Sequence, residues 1–290
     1  MKKLFALMLL VLLCLGSARA EIYYNVDRPE DWYSRPVLRL TAIDVDRSDA
    51  MLLECGGEAM LVDGGSGHFR DRLFAAVDKA GLSNFKYVFS THSDNDHIHG
   101  LKYLMENEKY EVELFTSPNK PEYKDDAGYH QATMRVIRKR EIPYLQVEDG
   151  DVLNLGPASL TVMRCMESWG SNARSAVLMV QLGNSRVLLS GDIDAKTMKH
   201  YVEKYGAENL RADILKAPHH GIATIVDEFL GAVQADMIFV PNMKENTAKF
   251  NNYMKVHAPD TTLLYCGDAT ICMETDGTDW YVWQDLPQEK

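Results

Sequence analysis

Apolar and polar residues change rhythm along the chain, and the changes separate short strands from helices. Residues 37–45 alternate with a period of two, as a half-buried strand does. Residues 50–55 and 59–63 are apolar runs joined by Gly56-Gly57, a pair suited to a tight hairpin turn. The glycine-rich stop Asp63-Gly64-Gly65-Ser66-Gly67 precedes helical spacing over 69–80, which Gly81 ends. Residues 86–91, KYVFST, read as a buried strand, followed by a polar loop, a helix, a strand over 112–117 and a polar helical stretch over 122–140.

The second half repeats the style. Strands are expected at 152–155 and 159–165, then a polar loop over 167–174. A hairpin over 176–182 and 186–190 turns at Gly183-Asn184, and Gly191-Asp192 leads into a helix over 194–205. A strand at 213–217 ends in Pro218-His219-His220-Gly221. A helix (224–233), a strand (237–240), a helix (246–256) and three closing strands complete the chain. Strand pairs and helices occur in both halves, unlike the strict alternation of a doubly wound sheet. The pattern predicts an α/β protein of α+β type, with two mixed sheets face to face and helices outside.

The N-terminus departs from this pattern. Lys2 and Lys3 precede an apolar run over 4–13, and Ala18-Arg19-Ala20 forms a small-residue cleavage site. The run is well short of the roughly 20 residues that a membrane span needs. Residues 1–20 are therefore expected to be a signal peptide cleaved after Ala20, which places the protein in the periplasm or outside the cell with no membrane span remaining. Residues 21–36, rich in Tyr and Trp, form an arm expected to pack on its own domain, and 37–290 form one domain. The formal charge of −11 becomes −14 when residues 1–20 leave, because they carry three cations and no anion. Such a surface repels polyanions at long range, so no stable complex with long nucleic acid is expected, whereas a small phosphoryl substrate remains admissible. Of Cys55, Cys165, Cys266 and Cys272, the last two could close a hairpin around Gly267-Asp268. None has zinc-binding CxxC spacing.

Three strand ends carry ligand-type side chains: His92-Ser93-Asp94-Asn95-Asp96-His97, Asp192, and His219-His220. Two imidazoles and two carboxylates within six residues at the end of a buried strand are costly unless a cation sits among them. Adjacent residues at a strand end point oppositely, so one of His219 and His220 is expected to join the cluster. His68, His130, His200 and His257 read as ordinary surface residues. Arg135, Arg138, Lys139 and Arg140 read as a solvated helix face.

HSDNDH, SGD and APHHG in this order resemble the metallo-β-lactamase superfamily. In detail they are similar to the branch that contains the hydrolase domain of bacterial competence (DNA-uptake) proteins. Asn172-Ala173-Arg174-Ser175, Gly191-Asp192 and Lys216-Ala217-Pro218-His219-His220-Gly221 carry the likeness further, which spans roughly 37–283. The resemblance implies an αββα sandwich with two divalent metal ions between the sheets. His92 and Asp94 would hold the first, Asp96, His97 and His220 the second, and Asp192 would bridge them. Asp63 would brace the metal loop. Asp96 and His219 are the candidate catalytic residues, and Asn172, Ser175 and His99 are candidates for a substrate-facing or first-metal loop. A bridging hydroxide would be the nucleophile.

The chain departs from the family in two places. No further histidine stands between Gly150 and Asp192, and 244–253 lacks a Tyr-x-His-Pro element. Zinc is the first expectation, and three carboxylates among six ligands admit manganese or iron. The expected activity is hydrolysis of a phosphodiester or related phosphoryl substrate. A lactone or ester hydrolase, and a catalytically weak metal- or ligand-binding envelope protein, are the alternatives. Asp94 in the place of a histidine argues against a classical β-lactamase.

Overall fold

The computed structural model describes residues 19–165 and 170–284. Most of the predicted signal peptide, residues 1–18, lies outside the described residues, as do 285–290. Two mixed sheets form the centre. The first runs Ile22–Tyr24, Trp280–Gln284, Ile271–Thr275, Leu38–Ala42, Ala50–Cys55, Glu58–Gly64, Tyr87–Phe89, Phe115–Ser117, Tyr144–Gln146. The second runs Val152–Leu155, Ala158–Met163, Val177–Leu182, Ser185–Leu189, Ile214–Lys216, Met237–Val240, Thr262–Tyr265.

Burial follows from the period of each strand. Leu38, Leu40 and Ala42 are buried in alternation with Arg39 and Thr41. The inward faces of both sheets, with Leu40, Val62 and Phe89 from one and Leu160, Leu178 and Ile214 from the other, make a shared core. The outer face of the first sheet is covered by helices Arg70–Lys79, Asn95–Glu106 and Tyr129–Lys139. The outer face of the second is covered by Ala195–Leu210, Asp227–Val233 and Ala248–His257. The layers are therefore helix, sheet, sheet, helix, in agreement with the expected fold class.

Each sheet switches from antiparallel to parallel pairing in its middle. In the first, antiparallel hairpins give way to parallel pairing between Glu58–Gly64 and Tyr87–Phe89, which continues to Tyr144–Gln146. In the second, the change falls between Ser185–Leu189 and Ile214–Lys216. Ligand sites in open α/β sheets favour the carboxyl ends of strands at such a switch. Every candidate ligand except Asp63 lies in the segment leaving one of these four strands, Asp96 and His97 in the first turn of the helix Asn95–Glu106, and Asp63 lies within one of the strands.

Three expectations need correction. The segment after Lys216 is a 3₁₀ turn, Pro218–Gly221, in which His219 (φ 49°) and His220 (φ 53°) both adopt left-handed backbone, so the orientation of the pair follows from a turn and not from strand alternation. Residues 266–270 make no hairpin, because Thr262–Tyr265 and Ile271–Thr275 belong to different sheets, and all four described cysteines are free thiols. His130 is fully buried; its Nε2 donates 3.0 Å to the carbonyl of Lys120, and its ring meets Tyr123 edge-on. The aromatic arm pairs with the sheet through Ile22–Tyr24, at the edge remote from the switch, and buries Trp32. The Trp32 indole donates to the buried Glu274, which also meets Arg28 and Arg39.

Candidate metal centre

The first sheet supplies a braced imidazole. Asp63 lies near the end of its strand with φ 55°, beside a register shift at Ala50/Met51, and this local irregularity re-aims its side chain. Its Oδ1 accepts the Thr91 N–H at 2.8 Å, and its Oδ2 accepts the Thr91 hydroxyl at 2.6 Å and His97 Nδ1–H at 2.8 Å. A carboxylate cannot donate, so a proton sits on Nδ1, and Nε2 is the ring nitrogen of His97 that faces the cleft. The approach depends on Gly64 and Gly100. A Cβ on Gly100 would stand 1.8 Å from the Gly64 carbonyl, so the helix can cross the strand this closely only without one.

The second sheet supplies the opposing donors. His220 Nε2 lies 3.1 Å from Asp192 Oδ2, 3.3 Å from Asp96 Oδ2 and 3.3 Å from His97 Nε2. His97 Nε2 lies 3.2 Å from the same Asp192 oxygen. The backbone N–H of Asp192 donates to Ser175 Oγ at 3.1 Å, which fixes the loop that carries it. His92 joins from the side, its ring centroid 4.0 Å from that of His97 and its Nε2 3.6 Å from Asp94 Oδ2. His219 is half-buried, with Nε2 3.8 Å from Asp192 Oδ2 and 3.4 Å from Asn172 Nδ2. The structure thus brings together His92, Asp94, Asp96, His97, Asp192, His219, His220, Asn172 and Ser175, with Asp63 behind them. His99 is directed elsewhere. Its Nδ1 meets Asn95 Oδ1 at 2.8 Å, and its ring packs on Tyr103 and Tyr129.

Two residues were not assigned a role from sequence. Asp49, fully buried, places Oδ1 3.1 Å from His220 Nδ1 and Oδ2 2.5 Å from Lys216 Nζ. Lys216, also fully buried, reaches the Gly191 carbonyl at 2.6 Å and Asp192 Oδ1 at 3.2 Å. Asp49, His97, Asp192 and His220 form a buried group whose ligand atoms lie within 4.8 Å of one another. Asp49 faces the Nδ1 side of His220 and is engaged by a lysine, so we place it behind the imidazole and not among the donors that converge at Nε2. Lys216 had a visible signal, a charged residue inside the apolar run of a buried strand. Asp49, in a polar loop, had none.

Electrostatics fit a cation. Burial pushes the His97 and His220 imidazoliums down, but the facing carboxylates outweigh it. Asp192, Asp63 and Asp49 hold His97 well above its ordinary value, and Asp192 and Asp49 raise His220 to about 10. Burial works against ionised Asp192, yet His220, His97 and Lys216 keep it well below the carboxylate range. Asp96 is likewise depressed, with burial opposed by His220 and His97. Burial lowers His219. Without metal the carboxylates hold protons on these imidazoles, but two Nε2–H groups 3.3 Å apart repel one another, whereas one cation accepts both lone pairs. His92 Nε2 is buried with no hydrogen-bond partner, a further donor atom without a proton acceptor to satisfy it. The residues therefore suit divalent metal.

Comparison with known proteins agrees. Residues 43–239 match the family described as the metallo-beta-lactamase superfamily. Recombination protein 2 of Haemophilus influenzae is 25% identical over 226 residues, covering 76% of this chain and 26% of the relative. ComE operon protein 3 of Bacillus subtilis is 24% identical over 169 residues, covering 57% of this chain and 21% of the relative. The chain thus spans about a quarter of the length of these curated relatives. Among solved structures, the metallo-beta-lactamase fold protein YhfI from Bacillus subtilis superposes with a TM-score of 0.56 at 14% identity, over 83% of this chain and all of that one. CmlA, a diiron beta-hydroxylase from Streptomyces venezuelae, reaches 0.50 at 13% identity, over 83% of this chain and 53% of that one. At these identities both speak to the fold alone.

Proposed function

The chain belongs to the metallo-beta-lactamase superfamily, and from that premise we propose that it is an exported metal-dependent hydrolase of phosphodiester or related phosphoryl substrates. The observation that carries the reading is the convergence of His97 Nε2, His220 Nε2 and Asp192 Oδ2 at 3.1–3.3 Å from one another. Two divalent ions, zinc first and manganese or iron as alternatives, would supply charge to stabilise the transition state and would acidify water. His97, His220, Asp96 and Asp192 would hold one ion, and His92 and Asp94 the other, with Asp192 shared. The carboxylate-rich donor set favours hard oxygen ligands such as phosphoryl oxygens.

The chain's own residues contribute position and proton handling. Asp63 and Asp49 orient two imidazoles so that only Nε2 faces the cleft. Lys216 turns one Asp192 oxygen away from it. His219, held by a left-handed turn at the cleft and kept neutral by burial, is placed to accept a proton from water or substrate. Asn172 stands beside it to orient the ring. Relatives named for recombination and for a ComE operon support the reading without extending their whole activity to this chain. Among the described residues, no helix is long and apolar enough to cross a membrane. Export is proposed from the N-terminal sequence.

Metal analysis of the purified protein with a panel of bis-p-nitrophenyl phosphate, a homoserine lactone and nitrocefin tests the proposal. We expect diester turnover that Asp192→Ala lowers on the order of 10³-fold, the loss of several kcal/mol of metal-derived stabilisation. Turnover of the lactone alone would replace the phosphoryl reading, and bound metal without any turnover would favour a binding protein.

A further inference from the structure

Two strands along the first sheet from the metal loop lies a second, separately built pocket. Tyr87–Phe89, Phe115–Ser117 and Tyr144–Gln146 are parallel neighbours, so the loops leaving their carboxyl ends share one edge. The first of these loops is the metal loop. The other two, with Arg164 and Arg174, line a cavity of about 400 Å³ that includes Lys120, Tyr123, Gln146 and Glu148. At a strand spacing of about 4.8 Å, the cavity lies roughly 5–10 Å along the edge from the metal loop.

One short turn belongs to both places. Ser171 Oγ stands 3.4 Å from Ser93 Oγ in the metal loop, Asn172 touches His219, and Ser175 accepts the Asp192 N–H. Arg174, between them, lines the second cavity instead. Its guanidinium donates to the Tyr123 hydroxyl and lies 4.6 Å from the centre of that ring. Among the described residues no carboxylate pairs with Arg174, and its Nε is buried with no hydrogen-bond partner. A guanidinium with no carboxylate partner among the described residues and an unsatisfied buried Nε calls for an acceptor.

The surroundings are fixed and locally cationic. Buried His130 holds the Lys120 carbonyl, the Tyr123 N–H donates to the same oxygen at 2.9 Å, and the Tyr144 hydroxyl donates to the Asn119 carbonyl at 2.5 Å. Arg164 is engaged with Glu148 at 3.0 Å and with the Val147 carbonyl. That leaves Arg174 and Lys120 facing Glu122, a positive balance on a chain of formal charge −11.

We propose that this cavity is an anion subsite that takes a second phosphate of the substrate, carried next to the phosphodiester held at the metals. The inference rests on the phosphodiesterase reading and narrows it to diesters that bear a neighbouring phosphomonoester. Arg174 supplies the recognition through its charge and its unsatisfied Nε–H, Lys120 adds charge at the mouth, and Tyr123 offers a ring face to the intervening group.

The test is calorimetry on the metal-loaded protein with dithymidine joined by a hydrolysis-resistant methylphosphonate, with and without a 5′-phosphate. The phosphate should tighten binding roughly tenfold or more, as a charge-assisted contact does. Arg174→Gln should remove most of that gain. Lys120→Gln, at an exposed position, should remove a smaller part, and it keeps the test sound if the first variant folds poorly. A phosphate gain that persists in both variants would mean that the group sits on the metals, and it overturns the subsite. Failure of both ligands to bind also overturns it. Turnover of bis-p-nitrophenyl phosphate, which has no second phosphate, judges the hydrolase reading separately.

Discussion

In the first sheet the imidazole of His97 rests on Asp63, a residue of its own sheet; in the second the imidazole of His220 rests on Asp49, which comes from the opposite one. Both carboxylates are fully buried, and both face Nδ1, so each leaves Nε2 for the cleft. The difference lies in how each carboxylate is satisfied. Asp63 accepts three well-directed hydrogen bonds. Asp49 has close but poorly aligned contacts, neither oxygen having a well-directed hydrogen bond, and depends on the charge of Lys216. One half of the centre is held by hydrogen-bond geometry within a sheet. The other is held by a buried ion pair that joins the two sheets and turns one oxygen of Asp192 out of the cleft.

Removing the lysine should break the comparison most visibly. Lys216→Met leaves Asp49 buried without its cation, and breaking a buried pair from one side costs about 3–5 kcal/mol. Urea unfolding should show the midpoint falling with little change in slope. The double variant Lys216→Met with Asp49→Asn should recover part of the loss, since the uncompensated charge is gone. A single variant as stable as the parent would remove the cross-sheet pair from this account.

A smaller effect compares the two carboxylates directly. Residues that orient a ligating imidazole typically contribute 10–100-fold to metal affinity. Asp63→Ala should lie at the high end of that range, because Thr91 and the metal loop lose their anchor with His97. Asp49→Ala should lie at the low end, because its contact with His220 is less well aligned. Competition with a chromogenic chelator measures both, and the reverse order would contradict the distinction drawn from the hydrogen bonds.

The same asymmetry explains what could be read from sequence. The metal loop is contiguous, so His92 to His97 declared itself within six residues, and Asp63 stood at a strand end before glycine. The layered class and most strand positions followed from apolar runs and turns, and the strand Met237–Val240 was placed without error. Lys216 and Asp49 are 167 positions apart, and only the packing of one sheet on the other makes them neighbours. His130 looked like a surface residue because its helix is polar overall. Its burial comes from the loop that folds back over it, which has no periodic signal. The left-handed backbone of His219 and His220 was equally hidden, since positive φ is uncommon even for histidine, which adopts it more often than most residues.

The smallest effect concerns pH in the metal-stripped protein. His220 has a folded pKa of about 10, above the ordinary 6.5, and His97 is also raised. A raised imidazolium contributes stability that is fully present below about pH 6.5 and is lost as pH climbs through the folded value. Asp192 and Asp49 are depressed, so their contribution is present above about pH 4 and is lost only as pH falls further. Stripped protein should therefore lose melting temperature steadily from about pH 6.5 toward 10. Bound metal replaces those protons, so the gap between loaded and stripped protein should widen over the same range. Asp49→Ala removes one of the two carboxylates that raise His220 and should flatten the stripped protein's decline toward pH 10 without abolishing it, because Asp192 remains. A gap that stays constant with pH would show that these imidazoles are already neutral without metal, and the two halves of the centre would then differ in packing alone.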